Sequence, residues 1–312
     1  MLVGAEVLPA KEARAVEMHC RALWDRREQI LALRAAAAEA QPQLREDILD
    51  LAVLWTDLRV RLAVESDRAA AHREALQVLE QAERLCGGNC VLCRERARHA
   101  AALGLTTLAT QFERQAELLP ASTAWEHDAL GRALLQQGDV NSASAHFDQA
   151  LEMRPQDLWA NYHRGRCSFL QGKHQEGKYQ EALTAFTVCI ALMPKSGWCY
   201  YNRGLAHLEL AQPERAMRDF DRALQLDPGL ASAALSRGFL HYREKRYDAA
   251  VSDLRRALDG GARPAAAHHG LALIHLARGD RQAALSELNE ALRHEPNAKD
   301  ARSLLERLQR PN

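Results

Sequence analysis

Three cysteines stand close together in the segment CGGNCVLC, Cys86, Cys90 and Cys93, in a C-x3-C-x2-C spacing. Thiolates so spaced can hold an iron–sulfur cluster with one iron left open for a cofactor, provided they sit on a loop that follows a strand. No alternation of strand and helix patterns surrounds them. Zinc would need a fourth ligand, and His72 or His99 is the nearest candidate. The plainer reading is a Gly-Gly helix stop followed by two cysteines that open the next helix. His207, His241 and His275 recur at intervals of 34 residues, a ladder that suggests metal or a pH switch. Packed helices lie about 8–10 Å apart, however, whereas ligand nitrogens stand about 2 Å from a shared ion. Arg164, Arg203 and Arg237 recur as well, and their stems read as packed between helices with the charge turned to a carboxylate or carbonyl. No metal and no cofactor is expected, and nothing here reads as an enzyme.

Elements that repeat must position residues that repeat. One pattern occurs five times between Ala124 and Ala298. The first unit has Gly131, Ala143, Phe147, Ala150 and Pro155, and the third has Gly204, Ala216, Phe220, Ala223 and Pro228 at the same offsets. The fourth keeps Gly238, Ala250, Leu254 and Ala257, and the fifth Ala272, Ala284, Leu288, Ala291 and Pro296. The second, Gly165 to Pro194, falls into register once five residues are removed, and GKHQE at 172–176 followed by GKYQE at 177–181 shows an apparent tandem duplication. A small residue in mid-helix facing an Ala on a second helix permits close approach, and a Phe or Leu one turn on fills the space beside them. The Pro ends the second helix.

This pattern resembles the tetratricopeptide repeat (TPR) family. The resemblance implies an all-α fold, a right-handed superhelical solenoid of antiparallel helix pairs, whose concave groove is lined by first helices and binds peptides. The units are read at 124–157, 158–196, 197–230, 231–264 and 265–298, within a domain of residues 121–298. An amphipathic helix at 299–312 is expected to cap the last apolar surface. Residues 1–120 form a helical region with helices expected at 10–40, 44–64, 67–85, 89–103 and 105–118, in which Ala75, Leu79 and Ala82, and again Ala109, Phe112 and Ala116, look like degenerate repeats. This region is also similar to helical regions appended to bacterial serine/threonine kinases, although the chain has no Gly-rich phosphate loop, VAIK-like lysine, HRD or DFG.

The expected groove face lies six and three residues before the Gly and one and four after it. It comprises Trp125 and Arg132 in the first unit, Trp159, Tyr162, Arg166 and Phe169 in the second, and Trp198, Tyr201 and Leu205 in the third. Asn202 lies beside it, and Phe239 and Tyr242 belong to the fourth. Such aromatics either pack between helices or anchor a ligand, as Trp, Tyr and Arg do at binding hot spots. A chaperone-type carboxylate clamp is not supported, since Asn202 has Tyr162, Arg166, Ser232 and Ser236 for partners.

Lys and Arg number 41, as do Asp and Glu, so the net charge is +0 and no overall field favours nucleic acid or an acidic membrane. No apolar run approaches the ~20 residues of a membrane span. The first residues lack the basic start of a signal peptide, and seven scattered cysteines fit reduced thiols. The expectation is a cytoplasmic protein-interaction scaffold holding a partner's peptide segment, with no nucleic acid and no membrane among its partners. The alternative is a regulatory or docking region related to a TPR-bearing kinase, and an iron–sulfur or zinc protein comes third.

Overall fold

The computed structural model describes residues 10–34, 41–172, 175 and 177–309. The chain divides into two compact units, Met1–Ala133 and Leu134–Asn312. The boundary falls inside α7, the first helix of the first repeat.

The first unit holds α1 (Ala10–Asp25), α2 (Arg27–Arg34), α3 (Gln41–Arg61), α4 (Arg68–Cys86), α5 (Cys90–Ala102), α6 (Thr106–Leu118) and most of α7 (Ala124–Gln136). The helix expected over 10–40 is thus two helices broken at Arg26, and residues 35–40 lie outside the described part. Its core gathers Trp24, Trp55, Leu58, Leu79 and Leu92. The Trp24 and Trp55 rings tilt together at 6.2 Å, and their indole N–H groups donate to Gln81 and Glu17.

The second unit continues with α8 (Val140–Met153), α9 (Leu158–Gly172), α10 (Gly177–Leu192), α11 (Gly197–Glu209), α12 (Pro213–Leu226), α13 (Ala231–Arg243), α14 (Tyr247–Asp259), α15 (Pro264–Ala277), α16 (Arg281–His294) and α17 (Lys299–Gln309). This is an array of paired antiparallel helices, a TPR solenoid, with α9/α10, α11/α12, α13/α14 and α15/α16 as pairs. The starts of α9, α11 and α13 match the expected units, while α15 starts one residue earlier, on Pro264.

Local chemistry explains where helices begin. The Asp139 and Asp280 carboxylates accept from the backbone N–H of Ser142 and Ala283 at 3.1 and 2.9 Å, each satisfying a donor that the helix start would leave orphaned. Pro213 and Pro264 open α12 and α15, where no N–H is needed. The small residue of each first helix is required by contact: a methyl added at Gly204 would stand 2.6 Å from Phe220, and one at Gly165 2.8 Å from Phe186. Phe147, Phe186 and Phe220 are fully buried, each contributing roughly 2–3 kcal/mol. The extra residues of the second unit lengthen α9 and α10 at the turn between them, where Lys173, His174 and Glu176 lie outside the described residues. At the far end Ala301 on α17 joins Ala272, Ala284, Leu288 and Ala291 in one cluster.

Candidate functional site

In the second unit each first helix touches a neighbouring first helix, α9 with α11, α13 with α15 and α15 with α17. Second helices approach one another less, so the first helices form the inner layer, and that layer carries the expected groove residues.

Among these, two aromatic pairs repeat one geometry. Trp159 stands edge-on to Tyr162 at 6.2 Å, and Trp198 edge-on to Tyr201 at 5.9 Å. Both tryptophans are half-buried. Arg166 is also half-buried and makes no hydrogen bond or ion pair with the described residues. Its charge acts on the neighbouring Tyr162 hydroxyl and Cys167 thiol. Tyr201 is half-buried beside Phe220 at 6.0 Å, and its hydroxyl meets Ser232 and Ser236 of α13 while burial pushes the phenol up. Trp159, Arg166, Trp198 and Tyr201 therefore share two adjacent first helices and keep part of their surface free.

Other members of the expected face are joints between helices. Tyr162 is only 3% exposed. Its ring packs edge-on against Phe186 at 5.9 Å, and its hydroxyl accepts from the Asn202 amide at 3.1 Å. Asn202 also donates to the Trp198 carbonyl at 2.8 Å, so its amide ties α9 to α11. Phe169 meets Tyr179 edge-on at 5.5 Å across the α9/α10 pair. Leu205 packs with Phe220 and Leu240. Phe239 lies against Gly270, where an added methyl would meet it at 3.2 Å, and Tyr242 faces Tyr247 at 6.2 Å.

Two members are corrected outright. Trp125 is 7% exposed and belongs to the core of the first unit with Trp24, Trp55 and Leu92. Arg132 is neutralised there by Asp50 at 2.8 Å and Asp128 at 3.0 Å, so it is not available for an acidic ligand. Helical position was read correctly, but helices of the first unit cover it.

The repeated arginines are structural. Arg203 holds the buried Asp219 through two hydrogen bonds of 2.8 and 2.7 Å, and Arg237 holds Asp253 through two of 2.7 Å. Arg237 also reaches Asp221 of the preceding pair at 2.8 Å, as Arg164 reaches Asp148 at 2.5 Å. The histidine ladder follows the same plan, with His207 3.8 Å from Asp219 and His241 3.7 Å from Asp253, while His275 is half-buried. Each histidine named here with a carboxylate meets one within its own repeat.

Cys86 ends α4, Gly87 takes φ 90°, and Asn89 caps α5 by accepting from Leu92 N–H at 2.9 Å. Cys90 and Cys93 are buried in the first turn of α5, and burial pushes both thiols up. His72 and His99 meet each other, Nδ1 to Nδ1 at 2.9 Å, and burial pushes His99 down to about 3. Among the described residues no group of three or more His, Cys, Asp or Glu could hold a metal ion, and no helix is long and apolar enough to cross a membrane.

One pairing escaped the sequence reading. Cys189 on α10 and Cys199 on α11 are both buried, and each thiol acts on the other's titration. The available signal was a Cys at the place where Ala150, Ala223, Ala257 and Ala291 stand in the other units.

Comparison with known proteins agrees with this architecture. PilF of Pseudomonas aeruginosa is 20% identical, with 77% of this chain and 99% of that one covered at a TM-score of 0.55. Human IFIT1, solved as a dimer with m7Gppp-AAAA, is 16% identical over 87% of this chain and 69% of its own, also at 0.55. Both identities bear on fold alone. The Protein CTR9 homolog of Arabidopsis thaliana is 31% identical over 100 residues, which are 31% of this chain and only 9% of that protein's length. No matching family model carries the similarity of residues 1–120 to kinase-appended regions, for the matches lie at 129–188, 197–230 and 241–308. All three are tetratricopeptide repeat models and together they span just over half of the 312 residues, so the chain belongs to the tetratricopeptide repeat family.

Proposed function

We propose that this protein is a non-enzymatic interaction scaffold that holds an extended segment of a partner protein on the inner face of its second unit, across α9 and α11. TPR proteins are generally protein-interaction scaffolds. The observation that carries the finer reading is the pair of half-buried tryptophans, Trp159 and Trp198, beside Arg166, which has no ion-pair partner among the described residues. Aromatic side chains already held edge-on to a tyrosine lose little freedom on binding, and a guanidinium without a carboxylate suits an acidic group on the partner. Tyr201 completes the patch, while Tyr162 and Asn202 keep the two helices in register beneath it. The setting proposed is cytoplasmic, which seven free cysteines support.

The test is panning of a displayed random-peptide library on the full chain. Selected peptides should carry acidic and apolar residues. Trp159→Ala with Trp198→Ala should weaken them by about thirtyfold or more, the effect of losing ~2 kcal/mol, with circular dichroism unchanged. Arg166→Glu should weaken the acidic peptides selectively. Peptides that bind the tryptophan double variant undiminished, or a capped oligoribonucleotide that competes for the patch more strongly than any peptide, would overturn the reading.

A further inference from the structure

The joint between one helix pair and the next is built from two small residues ten positions apart. In the third and fourth units these are Ala223 with Ala233 and Ala257 with Ala267, all fully buried and all in one core cluster. At the joint between the second and third units both places are cysteine, Cys189 and Cys199, exposed by 0% and 3%. The two thiols are close enough for each to act on the other's titration. At the other two joints these positions hold alanines buried in one shared cluster, and a disulfide needs Cβ atoms ~3.5–4.5 Å apart.

We propose that Cys189 and Cys199 are an oxidative modification site, at which hydrogen peroxide or a disulfide oxidant joins α10 to α11 by an intramolecular disulfide. The surroundings favour Cys199 as the first nucleophile. As a thiolate its sulfur accepts from the Cys189 S–H and from the Ser196 hydroxyl, whose oxygen lies 3.3 Å away, which lowers its pKa below that of an ordinary thiol. Cys189 is pushed the other way by that hydrogen bond and by burial. The thiolate attacks one peroxide oxygen, the O–O bond breaks, and a sulfenic acid forms with loss of hydroxide. The sulfur of Cys189 then displaces the sulfenic oxygen, and its proton leaves with that oxygen as water. Two thiols and one peroxide give one disulfide and two waters, each sulfur losing one electron.

The bond would form under the aromatic patch. Cys199 follows Trp198 directly, and Cys189 reaches the Leu158 carbonyl, beside Trp159, at 3.7 Å. Oxidation therefore ties α11, which presents Trp198, to α10, whose Cys189 meets the first residue of the helix that presents Trp159, a chemistry that stands whether or not the patch binds a peptide.

The full chain is treated with hydrogen peroxide and, separately, with diamide. Free thiols are then blocked by alkylation in denaturant, and the protein is digested without reductant. The expected product is a cross-linked peptide pair containing Cys189 and Cys199, lighter than the dithiol form by two hydrogen atoms and released by reductant. It should be absent from Cys189→Ala and from Cys199→Ala, which restore the residue of the other units and so keep the fold. Full alkylation of both cysteines after both oxidants, or a cross-link from either to a different cysteine, would overturn the proposal.

Discussion

A buried carboxylate with one strong partner is a liability that the repeat exploits. Asp219 has 7% of its side chain exposed and accepts both of its short hydrogen bonds from Arg203. Arg203→Ala leaves that charge to His207 at 3.8 Å, and breaking a buried pair from one side costs on the order of 3 kcal/mol. Arg203→Leu with Asp219→Leu removes both charges and should recover most of that loss, as chemical denaturation of the two variants will show. Residue identity and repeat register together revealed these arginines as packing elements. They did not reveal the state of Arg132 and Arg166, which occupy equivalent places. The difference arises from Asp128, four residues before Arg132 where Tyr162 precedes Arg166, and from Asp50, a residue of α3 lying 82 positions away in the chain, an approach that no local pattern encodes. Tyr162 was misread for a related reason. Its helical position was right, but Asn202 on the next first helix covers it.

Within an element, the small residue and the side chain opposite it vary together but not strictly. Gly204 faces Phe220 and Gly165 faces Phe186, Gly238 faces the smaller Leu254, and Ala272, the one unit with a methyl at that place, shares a cluster with Leu288. Gly204→Ala should therefore cost about 1–3 kcal/mol through overpacking, and Phe220→Leu introduced with it should restore part of the loss. A melting temperature of the double variant no higher than that of Gly204→Ala would contradict this account. The 34-residue period made the paired helices from Ala124 onward legible as a repeat. Upstream the period blurs, and the break at Arg26 went unseen because Asp25 and Arg27 on either side are ordinary helix-surface residues.

Across the molecule, stability in such an array is a sum of neighbouring terms. Removing residues 299–312 takes away Ala301 and the leucines of α17 that pack on Ala272, Leu288 and Ala291. Amide exchange in α15 and α16 should then accelerate, with α9 and α10 barely affected; uniform acceleration along the second unit would mean that it melts as one cooperative block. The ion pairs between successive helix pairs are unevenly placed. Arg164 straps α9 to α8, and Arg237 straps α13 to α12. Among the described residues no ion pair straps α11 to α10, where the tie comes from the thiol pair and from Tyr179 reaching Glu209. The joints are thus held by different chemistry, ion pairs at α8/α9 and α12/α13 and uncharged donors at α10/α11. Trp159 and Trp198 sit on α9 and α11, one on each side of the α10/α11 joint, so a segment held across both, as proposed, would fix the angle between the second helix pair and the third.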